Sequence, residues 1–267
     1  MPLAVCATPI GNLEDVTLRV LRELAEADLV LCEDTRRTKV LLERHGIEAK
    51  LLSYHEHNEA ERTAQILPRL EAGERVALTS DAGLPGVNDP GVRLIDAARE
   101  KGVPVTVLPG PSAVETALVA SGLVGERYQF VGYLPRTESA RAALWADLSG
   151  WPDALVAFES PRRLPASLHS LADALPARPV AVCRELTKRF EEVVRGSADE
   201  LARRFSEPPR GEITVVIGPA EVERGAESDA LSAVSELVEA GVGRRTAADL
   251  VARLTGHPRN RLYRASL

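Results

Sequence analysis

The chain lacks the segments that put a protein into a membrane or around a metal. No apolar run approaches the roughly 20 residues needed to cross a bilayer. The N-terminus, Met-Pro-Leu-Ala-Val-Cys, has no basic stretch of the kind that opens a secretory signal, so the expectation is a soluble, cytoplasmic protein with no membrane association. Cysteine is scarce: Cys6, Cys32 and Cys183 each lie in an apolar run without CxxC or Cys/His spacing, which predicts buried free thiols and no metal. His55 and His57 flank an acid, but no third ligand motif accompanies them. There is no GxGxxG and no GxxxxGK followed by Ser or Thr, so neither dinucleotide nor P-loop chemistry is supported. From residue 241 onward acids are also nearly missing. Asp249 stands against Arg244, Arg245, Arg253, Arg259, Arg261 and Arg264, a balance of +5 in a chain whose total is −6. A basic tail on an acidic body points to an anionic partner.

What is present is 267 residues, 45% hydrophobic, enough for two packed domains or one large one. Apolar strand-like runs at 3–7, 28–32, 50–54, 75–78 and 103–108 alternate with segments of helical period at 17–27, 38–45, 59–71 and 92–101. Repeated βα units predict a mostly parallel sheet. After Gly122 the pattern restarts with strands at 128–134, 153–158, 180–184, 190–195 and 212–217, and helices around 138–148, 162–174 and 198–205. The short spacing between the third and fourth of these strands predicts a hairpin and some antiparallel pairing. Residues 219–228 read as a punctuated, charged linker. Three short helices follow, at 229–240, 246–254 and 258–265, in a helix-turn-helix layout. Leu231, Val234, Leu237 and Val238 are expected to face Ala247, Leu250, Val251 and Leu254. The domain reading is therefore 1–122, 123–218, a linker at 219–228, and a basic extension at 229–267.

Chemistry-bearing residues gather where strands end. The stretch 79–91, Thr-Ser-Asp-Ala-Gly-Leu-Pro-Gly-Val-Asn-Asp-Pro-Gly, places Asp81 at a strand exit beside Gly83, Gly86 and Gly91, which let a ligand approach the backbone. The same stretch also suits a tight surface loop with Asn88 or Asp89 capping the next helix. The other exits carry Thr8-Pro-Ile-Gly-Asn12, Glu33-Asp-Thr-Arg36, Pro109-Gly-Pro-Ser-Ala113, Phe158-Glu-Ser-Pro161 and Arg184-Glu-Leu-Thr-Lys188. Asp34 or Thr35 suits an N-cap. Free N–H groups after Ser112 would hold a carboxylate or a ribose hydroxyl. Buried charge at two exits of the second half needs a partner or a ligand, and a salt bridge from Arg184 to Glu159 or Glu185 is the simplest partner.

These motifs, with His57-Asn-Glu59 and Gly211-Glu212, occur in an order that resembles the tetrapyrrole-methylase superfamily. Within it they resemble the family of 16S ribosomal RNA cytidine 2′-O-methyltransferases, across nearly the whole chain. Departures are Leu84, where relatives carry Thr, and Gly86-Val87-Asn88, where relatives have a more apolar triplet ending in Ser. The resemblance implies two α/β domains, an S-adenosylmethionine cleft between them, a homodimer, and small-subunit ribosomal RNA as partner. It implies a cofactor site of Pro9, Ile10, Asp81, Ala82, Gly83, Leu84, Ser112, Ala113, Glu159, Leu186 and Ile213. Candidates for the catalytic base are Glu159, Glu185, Lys188 and Glu33. Candidates for RNA contact are Arg36, Lys188, Arg244, Arg245, Arg259 and Arg261. Two other readings compete: C-methylation of a tetrapyrrole on the same fold, and a non-catalytic RNA-binding or assembly protein. The basic tail argues against the first, because a macrocycle held in the cleft needs no phosphate contacts beyond it.

Overall fold

A computed structural model describes residues 2–220 and 227–267; the central part of the expected linker, residues 221–226, lies outside the described residues. Among the described residues the first half forms β1 (Leu3–Cys6), β2 (Leu29–Cys32), β3 (Leu51–Ser53), β4 (Val76–Leu78) and β5 (Val105–Leu108). All pair in parallel, in the order β3-β2-β4-β1-β5. The intervening helices are α1 (Leu18–Glu26), α2 (Thr35–Arg44), α3 (Glu59–Glu71), α4 (Val92–Glu100) and α5 (Ala113–Ser121). Because β1 lies between β4 and β5, the loops leaving β4, β1 and β5 open side by side, with the β2 exit next to that of β4. This is the crevice where open α/β sheets bind ligands. α2 begins one turn earlier than its apolar period suggests, since Asp34 caps it by accepting from the Arg36 N–H at 2.8 Å.

The second sheet contains β6 (Tyr128–Tyr133), β7 (Ala154–Glu159), β8 (Pro179–Arg184), β9 (Glu192–Ser197) and β10 (Ile213–Ile217), ordered β6-β7-β10-β8-β9. β6 and β7 are parallel, whereas β10 runs antiparallel to both neighbours and β8–β9 is the expected hairpin. β9 starts two residues later than expected because a turn, closed by the Glu191 N–H donating to the Lys188 carbonyl at 3.1 Å, takes up the first residues after Thr187. Helices α6 (Glu138–Leu148), α7 (Leu164–Ala174) and α8 (Ala198–Arg204) complete this half. α5 joins the two sheets: its Val114, Ala117 and Leu118 pack with Ile10 against Val156, Ala181, Cys183 and Val216 of the second sheet. Both sheets therefore belong to one compact unit, made of the chain up to Ala146 with Asp153–Pro219. All three cysteines are buried and free, and burial pushes the thiols of Cys6 and Cys183 up to about 12.

The second unit consists of Asp147–Pro152 and the chain from Ala220 on. Its helices α9 (Glu227–Glu239), α10 (Arg244–Thr255) and α11 (Arg259–Ala265) enclose a core of Ala230, Val234, Ala247, Ala248, Val251 and Leu262. Leu250 and Leu254, expected to face α9, are exposed at 38% and 78%. The correction follows from α11: with Leu262 inserted as a third wall, α10 turns Ala247, Ala248 and Val251 inward, and the neighbouring stripe at 250 and 254 faces out.

Candidate active site

The 79–91 loop is held at both ends. Thr8 and Gly83 form a two-way bridge, with N–H to carbonyl distances of 2.8 and 3.0 Å, and Gly83 takes a left-handed φ of 78°. At the far end Glu59 Oε1 accepts the Gly91 N–H at 3.0 Å and the Tyr54 hydroxyl at 3.2 Å. Asn58 bonds to His55 and donates to the Ser53 carbonyl of β3, so the His57-Asn-Glu59 motif braces this loop. Gly91 rather than Asn88 or Asp89 is the N-cap of α4. Asp89 therefore lines a cleft with Glu33 and Asp81. Asp81 Oδ1 accepts the Asp34 N–H at 3.0 Å and its Oδ2 lies 3.4 Å from Arg37.

From the second sheet, the register puts Ile213 opposite Glu159 on one side and Arg184 on the other. Glu159 is buried and fully engaged: Arg163 at 2.5 Å, Ser167 Oγ at 2.6 Å, and the Ser160 N–H at 2.7 Å. Arg184 pairs with Glu192 at 2.9 Å, not with Glu159 or Glu185, because the hairpin sets the partner strand directly beside it. Glu185 and Glu212 both hold Lys188 at 2.9 Å. The turn between them is strained, with Glu185 at φ 51° and Thr187 at φ 64°. It rests on the first sheet's Thr8–Asn12 exit: the Asn12 N–H donates to Thr187 Oγ1 at 3.0 Å, and a Cβ on Gly11 would meet the Leu186 carbonyl at 2.8 Å. Strain of this kind persists where surrounding contacts over-determine it, and it concentrates at functional sites.

Together these loops enclose a cleft of about 740 Å³, within the usual range for small-molecule sites. Ile10, Asp81, Ala82, Gly83, Leu84, Ser112, Ala113, Glu159, Leu186 and Ile213 all line it, whereas Pro9 lines an adjoining pocket of about 290 Å³. Leu84 also packs on the core of the first sheet. Residues of the cleft that the linear chain did not reveal are Asp89, Glu115, Arg37, Phe130 and Tyr133. Glu115 accepts from Ser112 and from the Tyr128 hydroxyl, the latter at 2.5 Å. Tyr133 reaches Phe158, edge to face at 5.7 Å, across a register shift after Phe130 that alternation alone does not announce.

Of the four base candidates, Glu185 is held below the usual carboxylate range by Lys188 and the Glu212 N–H. Lys188 is partly desolvated, which works against its charge, yet Glu185 and Glu212 outweigh this and hold it protonated. Burial, with Asp81 nearby, raises Glu33. Asp89 is pushed up to about 6 by burial and by Glu33. Since its folded pKa lies above its unfolded value near 4, the folded state holds the extra proton, and stability falls as pH rises from about 4 to about 6. Asp89→Asn is accordingly expected to raise the melting temperature at pH 8 and to lose that advantage below about pH 4; melting curves across pH would refute this if the gain were flat. Arg36 chelates Asp34, holding it down to about 2, and faces solvent. On the second unit Arg259 approaches Asp249 at 3.4 Å, Arg244 is half-buried, and Arg245 and Arg261 are exposed.

Residues 2–202 match the family described as Tetrapyrrole (Corrin/Porphyrin) Methylases. The chain belongs to the tetrapyrrole methylase family. A relative from Mesorhizobium japonicum named ribosomal RNA small subunit methyltransferase I is 44% identical over 99% of this chain and 91% of its own length. A relative of the same name from Thermotoga maritima is 43% identical over 82% of this chain and 99% of its own. Among solved structures, a uroporphyrin-III C-methyltransferase from Thermus thermophilus, complexed with S-adenosylhomocysteine, shares the tetrapyrrole methylase fold. Its TM-score is 0.57 at 20% identity, covering 81% of this chain and 96% of that one.

Proposed function

We propose that this protein transfers the methyl group of S-adenosylmethionine to the 2′-hydroxyl of a cytidine in small-subunit (16S) ribosomal RNA. The observation that carries the reading is a strand-exit cleft assembled in family order, in a chain that aligns almost end to end with relatives named for ribosomal RNA small subunit methylation. The cofactor suits the residues present. Glu33, Asp81 and Asp89 make one end of the cleft acidic, which favours a sulfonium cation. Leu84, Phe130 and Leu186 offer apolar surface, and the N-terminus of α5 offers backbone donors after Ser112. When bound, S-adenosylmethionine supplies an electrophilic methyl group. The protein's part is to orient the acceptor hydroxyl, worth roughly 7–11 kcal/mol of barrier when the alignment is good, and to receive its proton on a rim carboxylate, typically about 10²–10⁴-fold. Lys188, kept cationic, steadies phosphate or ribose. Asp81→Ala should weaken cofactor binding by about 1.5–3 kcal/mol; unchanged affinity by calorimetry, with the fold intact, would remove Asp81 from the site.

The terminal helices dock the RNA in this reading. Changing Arg244, Arg245, Arg259 and Arg261 to Gln should lower affinity for small-subunit RNA. The log–log slope of that affinity against salt should flatten by roughly 0.7–0.9 for each phosphate the variant no longer neutralises; an unchanged slope would make the helices structural. A cytoplasmic homodimer goes with the same assignment. Exposed Val107, Val119 and Val124, on and after β5 and α5, are surface that a second copy would cover. Among the described residues no helix is long and apolar enough to cross a membrane. The decisive experiment is mass-spectrometric mapping of 2′-O-methylcytidine in small-subunit RNA after incubation with protein and cofactor. Label appearing in a tetrapyrrole instead would transfer the assignment to C-methylation, and absence of cofactor binding would leave a non-catalytic RNA-binding role.

A further inference from the structure

Beside the main cleft lies the smaller pocket of about 290 Å³, and the two share Ile10, Arg37, Asp81, Ala82 and Glu212 in their walls. We propose that this smaller pocket is the acceptor pocket: it receives one nucleotide turned out of the RNA and presents its ribose to the cleft across the shared wall. The proposal rests on the reading that the acceptor is an RNA ribose and names where that ribose is held.

The volume is at the low end for ligand sites, which suits a single nucleoside and not a macrocycle. Its surfaces are sorted. Leu13, Val40 and Leu41 supply apolar faces on which a base can lie, and the cations Arg37 and Lys188 stand in the same lining. A nucleotide needs both, because its base is flat and apolar on its faces while its flanking phosphates are anionic. Arg37 lies 3.4 Å from Asp81, longer than a tight hydrogen bond, and its side chain is 60% exposed. A guanidinium carries five donors, and one loose ion pair does not use them up. Lys188 is anchored between Glu185 and Glu212 on the strained turn, which fixes its ammonium group in place. Arg36, one residue away, is committed to Asp34 and lines neither pocket. An A-form helix displays its 2′-hydroxyls in a shallow minor groove, but a paired helix is too broad to enter a pocket of about 290 Å³, and in-line approach to the methyl donor within about 3–3.5 Å is needed. Extruding the nucleotide satisfies that requirement, as it does for enzymes that modify bases.

Val40 is 53% exposed on the wall of this pocket and does not line the main cleft, so Val40→Trp fills the pocket from its rim. The expected result is a loss of at least about 100-fold in kcat/KM for methyl transfer to small ribosomal subunits, with the S-adenosylmethionine Kd within about 3-fold of the parent. Arg37→Gln should raise the RNA KM about 10-fold. As a direct probe, cytidine 3′,5′-bisphosphate should bind the parent protein loaded with S-adenosylhomocysteine and be excluded by Val40→Trp. If the parent methylates ribosomal RNA and Val40→Trp does so equally well, the pocket assignment is overturned while the function stands. If the parent methylates no ribosomal RNA but the bisphosphate binds and Val40→Trp blocks it, the function fails and the nucleotide pocket stands. Loss of cofactor binding in Val40→Trp would place the pocket in the cofactor site and overturn the proposal, as would bisphosphate binding indifferent to Val40.

Discussion

Glu159→Ala should lower folding stability by about 3–5 kcal/mol, the range for removing one partner from a buried, hydrogen-bonded ion pair. The Glu159 side chain is fully buried, and its loss leaves the Ser167 hydroxyl and the Ser160 N–H without their acceptor and takes from Arg163 its only carboxylate among the described residues, leaving that guanidinium with the Leu134 carbonyl at 3.1 Å and Ser160 Oγ at 3.3 Å. For a chain of this size about 2–4 °C accompanies each kcal/mol, so the melting temperature should fall by about 6–20 °C. Glu159→Gln keeps an acceptor for Ser160 and Ser167 and should cost less than Ala. Equal melting temperatures for parent and Ala variant would show that the Leu134 carbonyl and Ser160 Oγ are enough to hold Arg163. Since Glu159 also lines the cleft, its double duty explains why a charged residue tolerates this depth: it ties the start of α7 to the end of β7 and so sets the cleft's floor.

Gly11→Ala should damage both stability and the site. The added methyl would lie 2.6 Å from Lys188 Cγ, 2.7 Å from Thr187 Oγ1 and 2.8 Å from the Leu186 carbonyl. A lysine methylene can move, but the carbonyl belongs to a turn already strained at Glu185 and Thr187. Overpacking of this kind costs about 1–3 kcal/mol. The more telling effect is on function, because the turn carries Leu186 into the cleft and Lys188 to the smaller pocket. Cofactor affinity and RNA turnover should therefore both drop, unlike the separate effects expected from Asp81 and Val40. Calorimetry and turnover on Gly11→Ala decide it; a variant that is merely less stable, with both activities intact, would show that the turn does not depend on this contact.

Much of the cleft was legible because strand ends announce themselves. An apolar run stops, and a charge, a glycine or a proline follows; Asp81, Ser112 and Glu159 stand at such exits, whereas Leu186 is pointed to only by the family order of the motifs. Arg36 and Arg37 illustrate the limit. They are neighbours with the same charge, and only the phase of α2, set where Asp34 caps it, turns Arg37 to the pockets and leaves Arg36 outside. Leu250 and Leu254 show it again, since helical period allows more than one buried stripe until a third helix chooses.

By itself the sequence determined the alternation of strands and helices, the parallel first half, the hairpin in the second, the buried thiols and the segregation of positive charge at the end of the chain. These follow from period, punctuation and composition, which act over a few residues at a time. Tertiary structure decided which exits meet. The order β4-β1-β5 brings three loops together, α5 presses the first sheet's Ile10 onto the second, and Gly11 lets the 184–188 turn close against β1's exit. Such contacts join residues far apart in the chain, from Leu3 beside Val76 to Asn12 against Thr187, and their energies depend on distances that no local pattern carries. The acidic end of the cleft arose in the same way: Glu33, Asp81 and Asp89 come from two separate stretches, and burial among like charges, not residue type, lifts Glu33 and Asp89 above the ordinary carboxylate range.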